Sequence, residues 1–325
     1  MTKGYSEIPE NWAAIAPYVN QGNMIQSVLS AKKCFFYDTC SFRYHANMQE
    51  DALDKLLQYI LRQNGIIIIT RGILMELASH SHVLQECYVG YLERIYNSGI
   101  EVYIIYEEEL QNIMDICFAS RQLVNDYLVW AVRMVRHPIS SIEIALRENV
   151  ELQKIVDGKN RNPKDFYPRF FRKVRSKKEE NDNLGEELLA ICLHILSNLP
   201  EPDGKFCVIT DDKGAAGKID ASFRKTNHGY RGKRVILFST PKLAQELYKE
   251  GIMTGAEELL LLLRAGNDGM IKILGTEIYD ITPREITLKC EEAAVKIVDK
   301  SIHIVSKASV HKIDVFCNNN LLMCS

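Results

Sequence analysis

Short apolar runs alternate with helix-periodic segments along this chain, which is the pattern of a parallel α/β domain. Runs rich in aliphatic and aromatic residues predict strands, and apolar residues recurring every three or four positions predict helices. The predicted strands are 34–38, 66–70, 101–106, 205–211 and 235–239. The predicted helices are 50–63, 71–79, 84–97, 183–198, 213–223, 241–249 and 257–264. We therefore expect a parallel sheet flanked by helices.

The alternation is interrupted between the third and fourth predicted strands. Residues 107–136 have a long helical periodicity, and a further helix is predicted from the capping box Ser140–Glu143 to about Val156. Residues 157–181 are polar and basic and are predicted to form a loop. These observations indicate a helical and basic insertion over 107–181.

The two ends of the chain differ in texture from this body. Residues 1–32 predict short helices and loops that pack on the α/β domain, which itself spans 33–266. Residues 270–289 and 301–317 are rich in β-branched side chains and flank a helix predicted at 291–299. We expect 267–325 to form a small C-terminal α+β module.

Composition excludes some classes of function. The chain has 325 residues, of which 46% are hydrophobic and 25% charged, as in soluble globular proteins. Its net charge of −2 provides no general attraction to nucleic acid or to a membrane. The first residues lack the apolar core of a secretory signal, and the cysteines follow no zinc-binding spacing. We expect a cytoplasmic protein with free thiols and no membrane association.

Acidic residues stand at the polar ends of four separate apolar segments. In chain order they are Asp38, Glu76, the pair Glu186 and Glu187, and the pair Asp211 and Asp212. A carboxylate at the carboxyl end of a parallel strand points into the crevice where open α/β sheets bind ligands. Several carboxylates gathered there repel one another unless a divalent cation neutralises them. The pattern therefore predicts a metal site.

Each acidic segment also has a purely structural interpretation. Asp38 is consistent with a cap for the following helix, and Glu76 with an exposed helical residue. Asp182 and Glu186 are four positions apart at a predicted helix start, where acids are favoured by the helix dipole. The sequence Thr210-Asp211-Asp212 is the most specific, because a plain turn after a strand seldom uses two adjacent acids.

Taken together, the four segments resemble the PIN-domain family of metal-dependent nucleases, over about 33–110 and 180–250. Asp38 with Thr39 and Ser41 is similar to the family's first motif, and Glu76 to its second. Gly185-Glu186 resembles a variant of the third motif, and Thr210-Asp211-Asp212 resembles the fourth, with Asp212 the better match. The long insertion and the C-terminal module have no counterpart in the minimal family fold.

The resemblance implies a metal-dependent endoribonuclease with catalytic residues Asp38, Glu76, Glu186 and Asp212. It implies Mg²⁺ or Mn²⁺ as cofactor, with one ion generating hydroxide and another stabilising the leaving 3′ oxygen. The candidate metal ligands are Asp38, Glu76, Asp182, Glu186, Glu187, Asp211 and Asp212. Hydroxyl groups expected to orient these ligands belong to Thr39, Ser41 and Thr210.

Basic residues next to the acidic segments predict a local nucleic-acid surface. The candidates are Arg169, Arg172, Lys173, Arg175, Lys177, Lys178, Arg224 and Lys225. Phe166, Tyr167, Phe170 and Phe171 interleave with the first group and are suited to stacking on unpaired bases. The alternative is a solvated basic linker whose aromatic side chains dock on the core. Charge alone does not distinguish RNA from DNA, whereas the family favours RNA.

Two other functions remain open at the level of sequence. A haloacid-dehalogenase-type phosphatase would need a second acid two residues after Asp38, where this chain has Cys40. A catalytically inactive PIN-like scaffold would bind RNA or protein without cleaving it. The sequence also leaves open a homodimer or a protein regulator as partner.

Overall fold

A five-stranded parallel sheet forms the centre of the molecule. The computed structural model describes residues 5–136, 140–160, 162–180, 182–224, 235–266, 269–278, 280 and 282–305, without the side chains of residues 80 and 224. Within these residues the parallel strands are β1 (Lys33–Tyr37), β2 (Gly65–Thr70), β3 (Val102–Ile105), β4 (Phe206–Ile209) and β5 (Ile236–Phe238). They lie in the order β3-β2-β1-β4-β5. The α/β class and its parallel sheet are thus confirmed.

Helices cover both faces of this sheet. In chain order the described helices are α1 (Trp12–Ile15), α2 (Met24–Ser30), α3 (Thr39–Ala46), α4 (Glu50–Arg62), α5 (Arg71–Ala78), α6 (Glu86–Asn97), α7 (Leu110–Cys117), α8 (Arg121–Val135), α9 (Ser141–Arg147), α10 (Val150–Val156), α11 (Phe166–Arg175), α12 (Leu184–Leu196), α13 (Lys213–Arg224), α14 (Thr240–Lys249), α15 (Ala256–Leu263) and α16 (Cys290–Val298). None of them combines the length and apolar character that a membrane span requires.

The alternation of side chains along each strand supplies two hydrophobic cores. Phe36 and Ile68 face one side, where α8, α11 and α12 pack, and Phe35 and Ile67 face the other, where α4, α6 and α14 pack. Both faces are buried, so the strands are apolar at nearly every position rather than at every second one. This is why continuous apolar runs in the sequence marked these strands.

A second, antiparallel sheet lies near the C-terminus. It consists of β6 (Met270–Glu277), β7 (Arg284–Lys289) and β8 (Ile302–Ile304), in the order β7-β6-β8. Its inner residues share a core with α14 and α15, and the Lys242 ammonium on α14 donates to the Ile304 carbonyl at 2.8 Å. The predicted strand content of 270–289 is confirmed, whereas most of 301–317 lies outside the described residues.

Three predictions for the insertion are wrong. Residues 157–181 were predicted to be a loop, but α11 lies within them, because aromatic side chains there form a helical apolar stripe that packs into the core. The predicted continuous helix over 107–136 is instead a 3-10 turn at Glu107–Glu109 followed by α7 and α8. The predicted helix from Ser140 to Val156 is likewise divided into α9 and α10.

Candidate functional site

The strand order places two acidic strand ends side by side. The chain passes from β1 to β2 on one side and returns to β4 on the other, so a topological switch point lies between β1 and β4. These strands pair in parallel with Tyr37 opposite Ile209. Asp38 directly follows β1, and Asp211 and Asp212 follow β4 after one residue. The acids that follow these two strands therefore lie at the same edge of the sheet.

Asp38 is held rigidly at the end of β1. Its side chain is buried, with the residue 2% exposed, and its Oδ2 accepts hydrogen bonds from Thr210 Oγ1 at 2.9 Å and from Cys40 Sγ at 2.9 Å. Burial raises the pKa of this carboxyl, the two hydrogen bonds counteract part of that rise, and the charge of Glu76 adds to it. The carboxylate form is thus costly unless a further positive charge is supplied.

Glu76 reaches the same region from α5. Its Oε2 accepts a hydrogen bond from the Thr39 hydroxyl, and its Oε1 accepts from the backbone N–H of Gly185 at 3.2 Å. A Cβ atom at Gly185 would displace this carboxylate, so glycine lets the start of α12 approach Glu76 in its present position. The Lys178 ammonium lies 3.0 Å from Oε1 of Glu76. Glu76 is therefore bonded to both neighbouring acidic segments.

Glu186 differs from the other residues of α12 in its exposure to solvent. All other residues of this helix are buried, whereas Glu186 is partly accessible and pairs with Lys218 Nζ at 3.2 Å. The pKa of Glu186 rises to about 7, mainly because of burial, and the charges of Asp38 and Asp212 raise it further while Lys218 lowers it. Repulsion of this kind shows that Glu186, Asp38 and Asp212 influence one another electrostatically.

Asp212 has both a structural contact and a position in this acidic group. Its Oδ1 accepts hydrogen bonds from the N–H groups of Gly214 at 2.5 Å and Ala215 at 3.1 Å, which caps the start of α13. Its own N–H donates to Thr210 Oγ1 at 3.2 Å, the same hydroxyl that donates to Asp38. Thr210 therefore connects the two strand-end acids. We define the acidic cleft as Asp38, Glu76, Glu186 and Asp212.

Asp211 differs from its neighbour because both of its carboxylate oxygens already accept hydrogen bonds, and its role as a metal ligand stays a prediction. Its Oδ2 accepts from Ser41 Oγ at 2.8 Å and from Thr240 Oγ1 at 2.6 Å, and its Oδ1 accepts from the Thr240 N–H at 2.7 Å. Both oxygens are thus occupied by donors from α3 and α14. Burial raises the pKa of this carboxyl and these hydrogen bonds lower it.

Glu187 and Asp182 also accept hydrogen bonds from backbone N–H groups, which accounts for an acidic residue at each position. Glu187 is buried, and its Oε2 accepts from the Ile142 N–H at 3.0 Å, so it caps the start of α9. Asp182 accepts from the N–H groups of Glu179 at 2.7 Å and Leu184 at 3.1 Å and pairs with Lys178. Both acids thus stabilise helix starts, in line with the structural interpretation of acids at helix N-termini, and their role as metal ligands stays a prediction.

The proposed stacking surface of α11 is wrong in its aromatic part. The rings of Phe166, Tyr167, Phe170 and Phe171 are all at most 1% exposed and pack into the core. Arg175 is also fully buried, where it pairs with Glu107 Oε2 at 2.5 Å, Glu108 Oε2 at 2.6 Å and Glu7 Oε1 at 2.9 Å. A guanidinium in this position is not available to phosphate groups.

The remaining basic candidates on and after α11 are mostly paired with acids. Arg169 pairs with Glu151, Arg172 with Glu108, and Lys177 with Glu148. Lys173 is half-buried. The side chain of Arg224 and the whole of Lys225 lie outside the described residues.

Lys178 does not lie on an open basic surface either. Its ammonium is buried between Glu76 and Asp182, and the ring of Tyr5 lies 5.3 Å from it. Burial lowers the pKa of Lys178, but the two carboxylates outweigh this and raise it. Lys178 therefore lies beside the acidic cleft, where its positive charge faces Glu76.

Sequence reasoning missed two other cationic side chains at the cleft. Lys218 pairs with Glu186, and the exposed Arg43 donates from Nη2 to the backbone carbonyl of Glu76 at 3.0 Å. Lys213 directly follows Asp212, but its ammonium pairs with Glu285 Oε2 at 2.9 Å. The signal in the sequence was weak, because each is a single charge next to an acidic segment rather than a member of a basic run.

The donor atoms of the cleft are carboxylate oxygens, which suit hard divalent cations such as Mg²⁺ or Mn²⁺. Across the described ranges, no three His, Cys, Asp or Glu side chains are arranged so as to hold a metal ion together. The oxygen donors of the cleft thus suit such a cation in their chemistry, whereas in the described residues they are not arranged around one. Comparison of the chain with protein-family models, with curated proteins and with solved structures finds no match.

Proposed function

We propose that this protein is a metal-dependent nuclease that hydrolyses phosphodiester bonds in single-stranded RNA. The observation that carries the proposal is the electrostatic state of Glu186, whose pKa is raised to about 7 beside Asp38 and Asp212 at the switch point. An excess of buried acids weakens a fold and is retained where a cation is to be bound. The choice of RNA rests on the resemblance of the acidic segments to PIN-domain nucleases.

The residues of the cleft divide the work among them. Asp38, Glu186 and Asp212 would hold Mg²⁺ or Mn²⁺, with Glu76 completing the set. A bound divalent cation would supply a hydroxide from water and stabilise charge on the leaving oxygen. Thr210 orients Asp38 and the backbone of Asp212, and Thr39 orients Glu76. Arg43, which donates to the backbone carbonyl of Glu76, and Lys218, which pairs with Glu186, would bind phosphate groups of the substrate.

The test is cleavage of end-labelled single-stranded RNA and DNA of the same sequence by the purified full chain. Mn²⁺ and Mg²⁺ are compared with EDTA, and Asp38→Asn and Glu186→Gln are compared with the wild type. The matched control is Asp54→Asn, because Asp54 is an exposed aspartate paired with Arg94. We expect a loss of at least about 10²-fold in the cleft variants and none in the control.

Cleavage that persists in EDTA or in Asp38→Asn would overturn the proposal. Metal-dependent cleavage of DNA but not RNA would keep the nuclease and reject the substrate. Cleavage of neither, with Mn²⁺ binding intact, would require another phosphoester or a further component.

One observation favours the alternative of a non-catalytic scaffold. Lys178 and Lys218 already pair with Glu76 and Glu186, so part of the negative charge in the cleft is neutralised by the protein itself. A scaffold would bind RNA without cleaving it, and its affinity would be the same with Mn²⁺ and with EDTA. Filter binding of the same RNA under both conditions distinguishes the two functions.

A further inference from the structure

A chain of buried hydrogen bonds runs from the core to the loop that carries Asp212. The Tyr91 hydroxyl lies 2.7 Å from the Tyr37 hydroxyl, which lies 2.8 Å from Nδ1 of His45. Nε2 of His45 lies 3.2 Å from Oγ1 of Thr240, which donates to Asp211 at 2.6 Å. The side chains of Tyr91, Tyr37, His45 and Thr240 are buried. Each group in this chain has a partner on both sides.

The direction of the chain follows from its carboxylate end. The Ser41 hydroxyl accepts the Asp211 N–H at 2.8 Å and therefore donates its proton to the Asp211 carboxylate. With a second donor in the Thr240 N–H, Asp211 is an acceptor. Thr240 has one hydroxyl proton, and it is directed to Asp211, so the Thr240 oxygen must accept a hydrogen bond from the Nε2–H of His45.

This requirement selects one tautomer of His45. Nε2 must carry the proton, and Nδ1 must then accept a hydrogen bond from the Tyr37 hydroxyl. The Tyr37 oxygen in turn accepts from Tyr91. Burial lowers the pKa of His45 to about 3, which agrees with an imidazole that carries a single proton. All the hydrogen bonds of the chain therefore point toward Asp211, an arrangement in which they strengthen one another.

The chain connects the backbone positions of two cleft acids. Tyr37 immediately precedes Asp38, and Asp211 immediately precedes Asp212. His45 and Ser41 lie on α3, which begins directly after Asp38, while Thr240 is the first residue of α14. A change at His45 or Thr240 would thus be transmitted to both strand ends without touching any substrate atom.

We propose that His45 is a positioning residue that, as its Nε2–H tautomer, links Tyr37 to Thr240 and Asp211 and so sets the spacing of Asp38 and Asp212. The catalytic meaning of this spacing rests on the proposed nuclease function. The tautomer of His45 and its linkage to Asp211 do not rest on that function, because they follow from hydrogen-bond geometry alone. The structural alternative is that His45 only fills space in the core.

Thr240→Val and Thr240→Ser form the matched pair for the experiment. Valine keeps the shape and the backbone N–H but removes the hydroxyl that joins His45 to Asp211, whereas serine keeps the hydroxyl. The ring nitrogens of His45 are followed by long-range ¹H–¹⁵N NMR of the full chain, with the signal assigned by its disappearance in His45→Gln. Mn²⁺ affinity, kcat and KM for the RNA substrate are measured for the same proteins.

We expect an Nε2–H signal in the wild type and in Thr240→Ser, and its loss or exchange with the Nδ1–H form in Thr240→Val. Thr240→Val should lower kcat by about 10- to 100-fold with little change in KM, and Thr240→Ser should recover most of it. Wild-type protein with Nδ1–H, or Thr240→Val with unchanged kcat, would overturn the proposal.

The outcome is decided even if the protein cleaves no RNA. In that case the proposed function fails, and the NMR signals together with Mn²⁺ affinity test the chain. A tautomer that depends on Thr240, with weaker Mn²⁺ binding in Thr240→Val, supports positioning. A tautomer or an affinity that does not respond to loss of the hydroxyl rejects it.

Discussion

The molecule contains two groups of buried ionisable side chains, and they differ in how well their charges are matched. Around Arg175, one fully buried guanidinium contacts three carboxylates, and Glu107 also accepts from the Gly72 N–H at 2.8 Å. In the acidic cleft, four carboxylates lie near one another, and among the described residues Lys178 and Lys218 are the cations that pair with them. The first group satisfies its own hydrogen bonds, whereas the second retains a surplus of negative charge.

The difference separates stabilisation from binding. Planar guanidinium groups form several charge-assisted hydrogen bonds at once, so the Arg175 group ties the N-terminal segment to α11 and to the turn at Glu107–Glu109. A carboxylate such as Glu186, whose pKa is raised to about 7, weakens the fold in its ionised form. From the sequence, Arg175 was predicted to bind nucleic acid. In the structure it stabilises the fold through its pairs with carboxylates.

The largest effect is expected when the matched group is broken. Arg175→Met leaves Glu107 buried without its cation and removes one of the two arginines paired with Glu108, so the free energy of unfolding should fall by about 3–5 kcal/mol. Urea titration followed by circular dichroism measures this. The control is Arg172→Met, which removes a side chain that is 71% exposed and pairs with the same Glu108. It should cost at most about 1 kcal/mol. Equal losses for the two variants would contradict a structural role specific to Arg175.

The unmatched group should respond in the opposite direction. The pKa of Glu186 in the folded protein lies above its ordinary value of 4.5, so the folded state holds this proton more tightly than the unfolded state. Ionisation therefore costs stability as the pH rises from 4.5 through about 7. In EDTA, Glu186→Gln should be more stable than the wild type by on the order of 2 kcal/mol near pH 8.

Thermal unfolding in EDTA at several pH values tests this expectation. The gain in stability should vanish as the pH falls below 4.5, where Glu186 is protonated in both states. Glu86→Gln, at an exposed position on α6, serves as the control and should show no such pH dependence. A wild type more stable than Glu186→Gln near pH 8 would show that the acidic surplus is already compensated.

Lys178→Met should change the stability of the fold least among these three variants. It removes the ammonium between Glu76 and Asp182, which are only partly buried, so we expect a loss of about 1 kcal/mol. Because the cleft gains negative charge, Mn²⁺ should raise the melting temperature of this variant more than that of the wild type. Lys177→Met, which removes a partner of Glu148, is the control. If Mn²⁺ raised the melting temperature of all three proteins equally, Lys178 would have no influence on the cation site.

Much of the sheet could be predicted from the sequence because its signals are local. A run such as Ile66–Ile69, buried on both faces, has few alternatives to a central strand. The acidic residues at strand ends were equally visible, since position after a strand determines the edge at which a side chain lies. The helix α11 was not recognised because its dense basic residues concealed the apolar stripe of Phe166, Phe170 and Val174.

The roles of adjacent acids could not be predicted, because they depend on contacts from distant segments. Glu186 faces the cleft and Glu187 caps α9, although the two differ by a single step along α12. Asp211 is occupied by Ser41 and Thr240, whereas Asp212 contributes to the acidic cleft. Lys178 was predicted from its basic neighbours to face nucleic acid, and only the fold brings it to Glu76.

The pairing of β1 with β4 also affects how the protein is made. Ser41 and Asp211 are 170 positions apart, yet their hydrogen bond joins the two halves of the cleft. During synthesis, β1 and its neighbour β2 leave the ribosome long before β4 has been made. Until then, the edge of β1 that pairs with β4 in the sheet has no strand beside it. Pairing over such a separation is slow. The cleft is therefore completed late in folding, and a nascent chain that ends before β4 carries the first three acids of the cleft without Asp212.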